Sequence, residues 1–424
     1  MPDVVLSGPG GSFSSTMTVP GDKSLSHRAL IFAAIAEGDS LITGLGDGQD
    51  VRSTASALGS LGVDVDGDKI RSPGRSGWRT PDHPIDCGNS GTTMRLLSGT
   101  LATSSVRAEL VGDDSLMQRP MRRLLEPLHA LGGVITVSDG GTAPIVVGGA
   151  GRPVAADCVL DIASAQVRSA FELAALAAPE PSSIDSPAGF RDHTERWLAA
   201  IDRGAWTSTT AFRIDPGPIP PARYDIPGDP SSAAYLWACA AIHQGSSVTT
   251  ERVSLNPGRL GFLQILDDMG AHVEAVVTGS TGGDPVGDVT VSAGDLRGVE
   301  VRGALTAAAL DELPLVAVVG AYAEGLTVVA DAGELRAKES DRIASVVEML
   351  RAVDGGCEAT PNGFTVVGTG FLGGGIVETH HDHRIAMAAA VAATRADDAV
   401  TIRDAEVAAI SWPTFYTTLE ALWS

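Results

Sequence analysis

The chain has 424 residues, too many for one compact core and enough for two domains. Its formal net charge of −22 argues against a phosphate-tracking nucleic-acid surface, which is normally basic, so an anionic substrate must meet a local pocket of cations. With 44% hydrophobic residues but only 4% aromatic, its cores must rest on closely packed Ala, Val, Leu and Ile.

The opening MPDVVLSGPGG carries no basic patch and no long apolar run, so it does not read as a signal peptide. No apolar stretch approaches the ~18 residues of a membrane span. Cys87, Cys158, Cys239 and Cys357 are scattered without paired spacing, which argues against a disulfide framework or zinc ribbon and for a reducing cytoplasm. A cytoplasmic protein is expected, with no membrane and no nucleic-acid partner.

Along the chain, six Ala-rich helical stretches each open on a small-polar or charged cluster, their starts roughly 70 residues apart. They are KSLSHRAL from Lys23, NSGTTMRLL from Asn89, SAQVRSAF from Ser164, PSSAAYLW from Pro230, LDELPLVA from Leu310 and HDHRIAMA from His381. Second helices follow, several ending on a glycine suited to a left-handed terminus, as in ASALGSLG, LLEPLHALGG and LQILDDMG. Alternating Val/Ile segments after them suit strands. Six such units predict an α/β protein of two domains with three units each. The sixth unit stops short, and the strand-like segment 4–20 is expected to complete it. The domains are therefore read as 21–223 and, discontinuously, 1–20 with 224–424, with a crossing in the proline-rich stretch 216–230.

Each first helix opens with groups suited to anions, because a helix N-terminus presents unpaired N–H groups and a positive dipole end. Simple N-caps would explain the polar residues, but not Lys23, Arg28, Arg95, Arg168, Arg342 and Arg384 beside them. The chain has three lysines in an Arg-dominated set of basic residues, and two of them, Lys23 and Lys338, sit in polar clusters at helix starts, which is either chance or the mark of a place for a compact ammonium.

PGDKSLSHRAL (20–30), DCGNSGTTMRLL (86–97), DDSLMQRPM (113–121) and SAQVRSA (164–170) resemble motifs of the EPSP synthase family of enolpyruvyl transferases. RDHTERWL (191–198), GDPSSAAY (228–235), LRAKESDRI (335–343) and HDHRIAM (381–387) continue the resemblance in family order over nearly the whole chain. The resemblance implies two "inside-out" domains, each of three βαβαββ repeats, closing over an active site in the interdomain cleft. It implies phosphoenolpyruvate and shikimate 3-phosphate as substrates, no cofactor, no metal, and a monomer.

On the same resemblance, Arg119, Arg342 and Arg384 surround phosphoenolpyruvate with Lys23, the Gly91 backbone and Gln166, and Arg suits bidentate clamping of phosphate and carboxylate. Ser24 and Arg28 are implied shikimate contacts. Ser164, the Ala165 backbone and Ser186 are implied to hold the 3-phosphate, with Arg191 nearby. Asp311 is the implied proton acceptor, Glu339 and Lys23 the implied proton donors, and Lys338 the bridge between shikimate hydroxyl and phosphate. Three positions depart from many members: Glu334 where Asn is frequent, Ile410 where Lys is frequent, and Phe190 where a small polar residue is expected. The sister enzyme acting on a UDP-sugar has a reactive Cys on a mobile loop, and the comparable GDDSLMQRPM has none. The adjacent His380, His381 and His383 suggest a metal, but neighbours on a helix point apart and no second ligand cluster is apparent.

Overall fold

The computed structural model describes residues 3–149 and 151–424. The chain forms two compact units. One comprises Gly21–Ile226 with the short segment Ser280–Asp284; the other joins the segment ending at Pro20 to Pro227–Gly279 and Pro285–Ser424. Two of the crossings, at Pro20/Gly21 and Ile226/Pro227, fall at prolines. The Ser280–Asp284 excursion has no sequence signal. Its Asp284 is fully buried against His193, Nδ1 to Oδ2 2.8 Å, and the Thr281 hydroxyl donates to the Asp225 carbonyl at 3.0 Å.

The first helices of the repeats are Lys23–Ile35, Gly91–Ala102 and Ala165–Ala175 in one unit, and Pro230–Ile242, Leu313–Tyr322 and His383–Ala393 in the other. Every residue of Pro230–Ile242 and of Leu313–Tyr322 is buried. A helix apolar on all sides has no face to give to water and must lie in the middle of its unit. Small residues let these helices approach closely. A Cβ on Gly99 would lie 2.2 Å from the Ala170 carbonyl oxygen, so Gly91–Ala102 and Ala165–Ala175 touch backbone to backbone there.

Around the helices, the described residues form six sheets, five of four strands and one of three. The four-stranded sheets share one order, seen in Ile85–Asp86, Arg107–Val111, Ile145–Gly148 and Ile135–Thr136: a parallel pair, then two antiparallel neighbours. Their outer faces leave Val159, Leu326 and Val367 more than half exposed, so the layers run sheet outside and helix inside. Two sheets take their first strand from far along the chain. Arg223–Asp225 pairs in parallel with the strand Glu37–Thr43, and Ser14–Met17 with Ser247–Ser254.

The segment 4–20 therefore does not wholly complete the sixth repeat. Val4–Leu6 does join that sheet, antiparallel to Val400–Ile402, but Ser14–Met17 belongs to the fourth. Gly10 and Gly11, with φ of 69° and 79°, break the segment into two strands that leave for different sheets. Left-handed backbone of this kind favours glycine.

The helix contact gives a paired prediction. Gly99→Ala should lower stability by about 1–3 kcal/mol, the usual cost of overpacking. Gly59→Ala, in the exposed part of helix Gln49–Ser60 with nothing within 4 Å of the new Cβ, should stabilise by about 0.5–1 kcal/mol. Urea unfolding of both variants measures the two shifts; equal shifts would show that the Gly99 contact is not tight.

Candidate active site

In the unit of Gly21–Ile226, Asp22 caps the helix Lys23–Ile35, its Oδ1 accepting from Leu25 N at 2.9 Å. Lys23, at the first helical position, donates from Nζ to Asp50 Oδ2 at 2.9 Å. One turn on, Arg28 is buried and uses its whole fork: Nη1 to the Ser24 carbonyl at 3.0 Å, Nε to Thr194 Oγ1 at 2.7 Å and Nη2 to Ser169 Oγ at 2.9 Å. Burial pulls the Arg28 guanidinium down from its ordinary value, opposed by Glu195, Glu172, Asp22 and Asp284. Between Lys23 and Arg28 lies His27, with Nδ1 2.6 Å from Thr54 Oγ1. Burial first, and then the charges of Lys23 and Arg28, hold His27 well below 6.5, so it is neutral at pH 7.

At the next helix start, Ser90 caps Gly91–Ala102 by accepting from Thr93 N at 3.1 Å. A Cβ on Gly91 would lie 2.7 Å from Arg95 Nη1 and 3.5 Å from Arg119 Nη1, so two guanidiniums crowd this first turn because Gly91 has no side chain. Arg95 Nη1 donates to Gln166 Oε1 at 2.6 Å, and Gln166 Nε2 donates to Thr92 Oγ1 at 2.9 Å, which ties this helix start to that of Ala165–Ala175. Arg119 Nη2 donates to Asn89 Oδ1 at 2.6 Å. Ser164 is the N-cap of Ala165–Ala175, yet its side chain makes no capping bond. Ser186 Oγ accepts from Arg168 Nη1 at 2.9 Å, and half-buried Arg191 stands just before the helix His193–Ala200.

In the other unit, Arg342 organises the charges. Its Nε and Nη2 donate to the two oxygens of Asp382 at 2.8 and 3.2 Å, Nη1 donates to Asp311 Oδ1 at 3.3 Å, and Nη2 also reaches Glu339 Oε2. Burial lowers the Arg342 pKa, but Asp382, Glu339 and Asp311 outweigh it, so the net shift is upward and the charge is fixed. Lys338 Nζ donates to Asp311 Oδ1 at 3.2 Å. Asp382 has a second duty as the N-cap of His383–Ala393, accepting from Arg384 N at 2.9 Å. Arg384 is buried and directs Nη1 to the Tyr235 hydroxyl at 3.4 Å and towards Glu312 Oε1 at 3.9 Å. Asp311 is not a helix cap: Leu313–Tyr322 begins after Glu312, and Asp311 lies in the turn before it.

The structure thus links Gly91 and Gln166 through Arg95, sets Arg119 beside Gly91, joins Ser24 to Arg28, and gathers Asp311, Lys338, Glu339 and Arg342 in one cluster. Motif reading did not select Asp50 or Asp382, the carboxylates that hold Lys23 and Arg342. Asp382 carried a signal, an Asp directly before a helix start. Glu334 is exposed, and Ile410 packs on the apolar core. Among the described residues, no group of three His, Cys, Asp or Glu side chains is placed to hold a metal ion.

Helix-and-sheet repeats, five on four-stranded sheets and one on a three-stranded sheet among the described residues, with cations and carboxylates gathered near helix starts, define an enolpyruvyl transferase fold. The EPSP synthase of Acinetobacter baumannii matches it with a TM-score of 0.88 and 36% identity, over 100% of this chain and 98% of that one. The enolpyruvyl transferase NikO from Streptomyces tendae matches with a TM-score of 0.78 over 99% of this chain and 97% of that one; at 17% identity, the likeness is one of fold alone. The family model of EPSP synthase (3-phosphoshikimate 1-carboxyvinyltransferase) matches residues 8–419, and the chain belongs to that family. Proteins named 3-phosphoshikimate 1-carboxyvinyltransferase from Herpetosiphon aurantiacus and Alkalilimnicola ehrlichii are 45% and 44% identical, covering 94% and 96% of this chain and 95% and 93% of theirs.

Near Arg28 lies an acid, Glu172, fully buried, whose two oxygens find no hydrogen-bond partner among the described residues. Burial, then the charge of Glu195, push Glu172 well above 4.5, while Arg168 on its own helix and Arg28 on Lys23–Ile35 pull the other way. The folded state therefore holds this proton more tightly than the unfolded chain. The stability it gives is complete below about pH 4.5 and is lost as pH rises towards the raised folded value. Glu172→Gln cannot ionise, so its stability advantage over the parent should grow between pH 5 and pH 7.5. His27 titrates in the opposite sense but is common to both proteins. Urea unfolding at several pH values measures the difference; curves that stay parallel would show that Glu172 titrates normally.

Proposed function

We propose that this protein transfers the enolpyruvyl group of phosphoenolpyruvate to the 5-hydroxyl of shikimate 3-phosphate, releasing phosphate, a step of chorismate and aromatic amino-acid biosynthesis. The family membership supports the reaction class. The observation that carries the reading for this chain is Asp311, a carboxylate that caps no helix and is held instead by Lys338 and Arg342. A helix cap would need no such pair of cations.

In this reading Asp311 orients the 5-hydroxyl and takes its proton as the oxygen bonds to C2 of phosphoenolpyruvate, while Glu339 or Lys23 protonates the CH2 carbon. The C–O bond to phosphate in the tetrahedral adduct then breaks, and a proton leaves the new methyl group to restore the vinyl. Arg119, Arg342 and Arg384 bind the phosphate and carboxylate of phosphoenolpyruvate, with Lys23, the Gly91 backbone and Gln166. Ser24 and Arg28 bind the shikimate ring substituents; Ser164, Ala165 N–H and Ser186 bind its phosphate, with Arg191 nearby, and Lys338 bridges hydroxyl and phosphate. The cationic side chains neutralise the substrates' charge, so no metal or cofactor is required. We place the protein in the cytoplasm as a monomer.

Phosphate release with phosphoenolpyruvate is the direct test, with shikimate 3-phosphate expected to support it and UDP-N-acetylglucosamine not; the reverse preference would overturn the reading. Asp311→Ala should lower kcat by about 10²–10⁴, the range of general-base help, with little change in melting temperature. Turnover within about tenfold of the parent would remove Asp311 from the proton transfer. Lys23→Met should abolish turnover in a folded protein, and near-normal phosphate release would exclude it as donor.

A further inference from the structure

We infer that Arg168 is the positioning residue for the acceptor's phosphate: it fixes the Ser186 hydroxyl as a hydrogen-bond donor, and Phe190 and Glu195 hold it in place to do so. The inference rests on the proposal that Ser186 contacts the 3-phosphate.

Arg168 is fully buried and held on several sides. Its Nε donates to Glu195 Oε1 at 2.6 Å, and its Nη1 donates to Ser186 Oγ at 2.9 Å. Its guanidinium carbon lies 3.9 Å from the centre of the Phe190 ring, which itself stacks on Trp206 at 6.2 Å and 23°. Nη2 has no hydrogen-bond partner among the described residues, so the bond to Ser186 is the one hydrogen bond made by that end of the fork. Phe190, too bulky for the small polar residue expected before Arg191, is accounted for here: it covers the face of the cation.

A serine hydroxyl has one proton and two acceptor lone pairs, and its rotor turns to suit its neighbours. Arg168 carries only donors, so the bond from Nη1 takes a lone pair of Oγ and leaves the Ser186 proton to be given away. In the structure that proton goes to the Pro187 carbonyl at 3.2 Å. This is long for an O–H···O bond, which is normally about 2.7–2.8 Å, so it is readily exchanged for a better acceptor. A phosphate oxygen is such an acceptor, being ionised and able only to accept. Without Arg168 the same hydroxyl is free to turn its proton elsewhere.

The test uses the parent, Arg168→Met, Ser186→Ala and the double variant, with steady-state kinetics and calorimetric binding of shikimate 3-phosphate and of unphosphorylated shikimate. Arg168→Met is expected to raise the acceptor KM about tenfold, the scale of one charge-assisted hydrogen bond. The KM for phosphoenolpyruvate and the affinity for shikimate should stay within about twofold. Added to Ser186→Ala, it should bring no further rise, because its route through the hydroxyl is already gone. Arg168→Lys, which keeps a cation, should recover part of the loss, and Phe190→Leu, which uncovers the guanidinium, should weaken acceptor binding in the same direction. These two variants serve if Arg168→Met fails to fold. Multiplying effects in the double variant, equal losses for shikimate and its phosphate, or a matching rise in the phosphoenolpyruvate KM would each overturn the inference. A parent protein that binds no shikimate 3-phosphate would instead overturn the functional reading, and would be seen before any variant is compared.

Discussion

Pro230–Ile242 and Leu313–Tyr322 are helices with no side left for water, and this requirement orders the architecture of their unit. Helices of this composition must be enclosed, so the sheets are displaced to the outside and present one face to solvent. In the other unit, small side chains set how close the helices come, as at Gly99 and Ala170. An enclosed helix still has a polar first turn whose N–H groups lack helical partners. The polar and charged residues of each repeat therefore collect at or near these starts, among them most of the candidate site residues.

Gathering cations in an acidic protein brings its own demand, since a buried guanidinium without carboxylates is strongly destabilising. Arg342 meets it with Asp382, Glu339 and Asp311, and Lys23 is held by Asp50. Asp382 serves the helix start and the arginine at once, so the cap and the cluster are one construction. Three carboxylates around one arginine leave Asp311 positioned by cations and independent of the helix ladder. A group so placed is suited to exchange a proton with a ligand without loosening the fold.

The layer of Arg28, Ser169, Thr194, Arg168 and Glu195 shows the same economy of direction on a smaller scale. Arg28 donates to both hydroxyls of Thr194 and Ser169, which lie 2.7 Å apart, so the orientation of each hydroxyl is set by its neighbours. Buried networks of this type are rigid when every member is satisfied. Glu172 joins the layer as an acid whose neutral form is the favoured one, because burial and a neighbouring carboxylate both oppose its charge.

The sequence by itself determined the six helix starts, the Ala-rich stretches behind them, the family motifs and the cation-rich character of the site. These are local properties: an N-cap such as Asp22, a left-handed Gly270 at the end of Gly261–Met269, or an Arg one turn into a helix is written within a few residues. Only the tertiary structure decided that Val4–Leu6 and Ser14–Met17 enter different sheets, because three or four alternating residues fit many ladders and the partner lies hundreds of positions away. It also decided that Ser280–Asp284 belongs with Gly21–Ile226, that Asp382 and Asp50 are the partners of Arg342 and Lys23, and that Glu172 lies beside Glu195. Ion pairs and burial depend on distances between residues remote in the chain, and those distances exist only once the helices have packed.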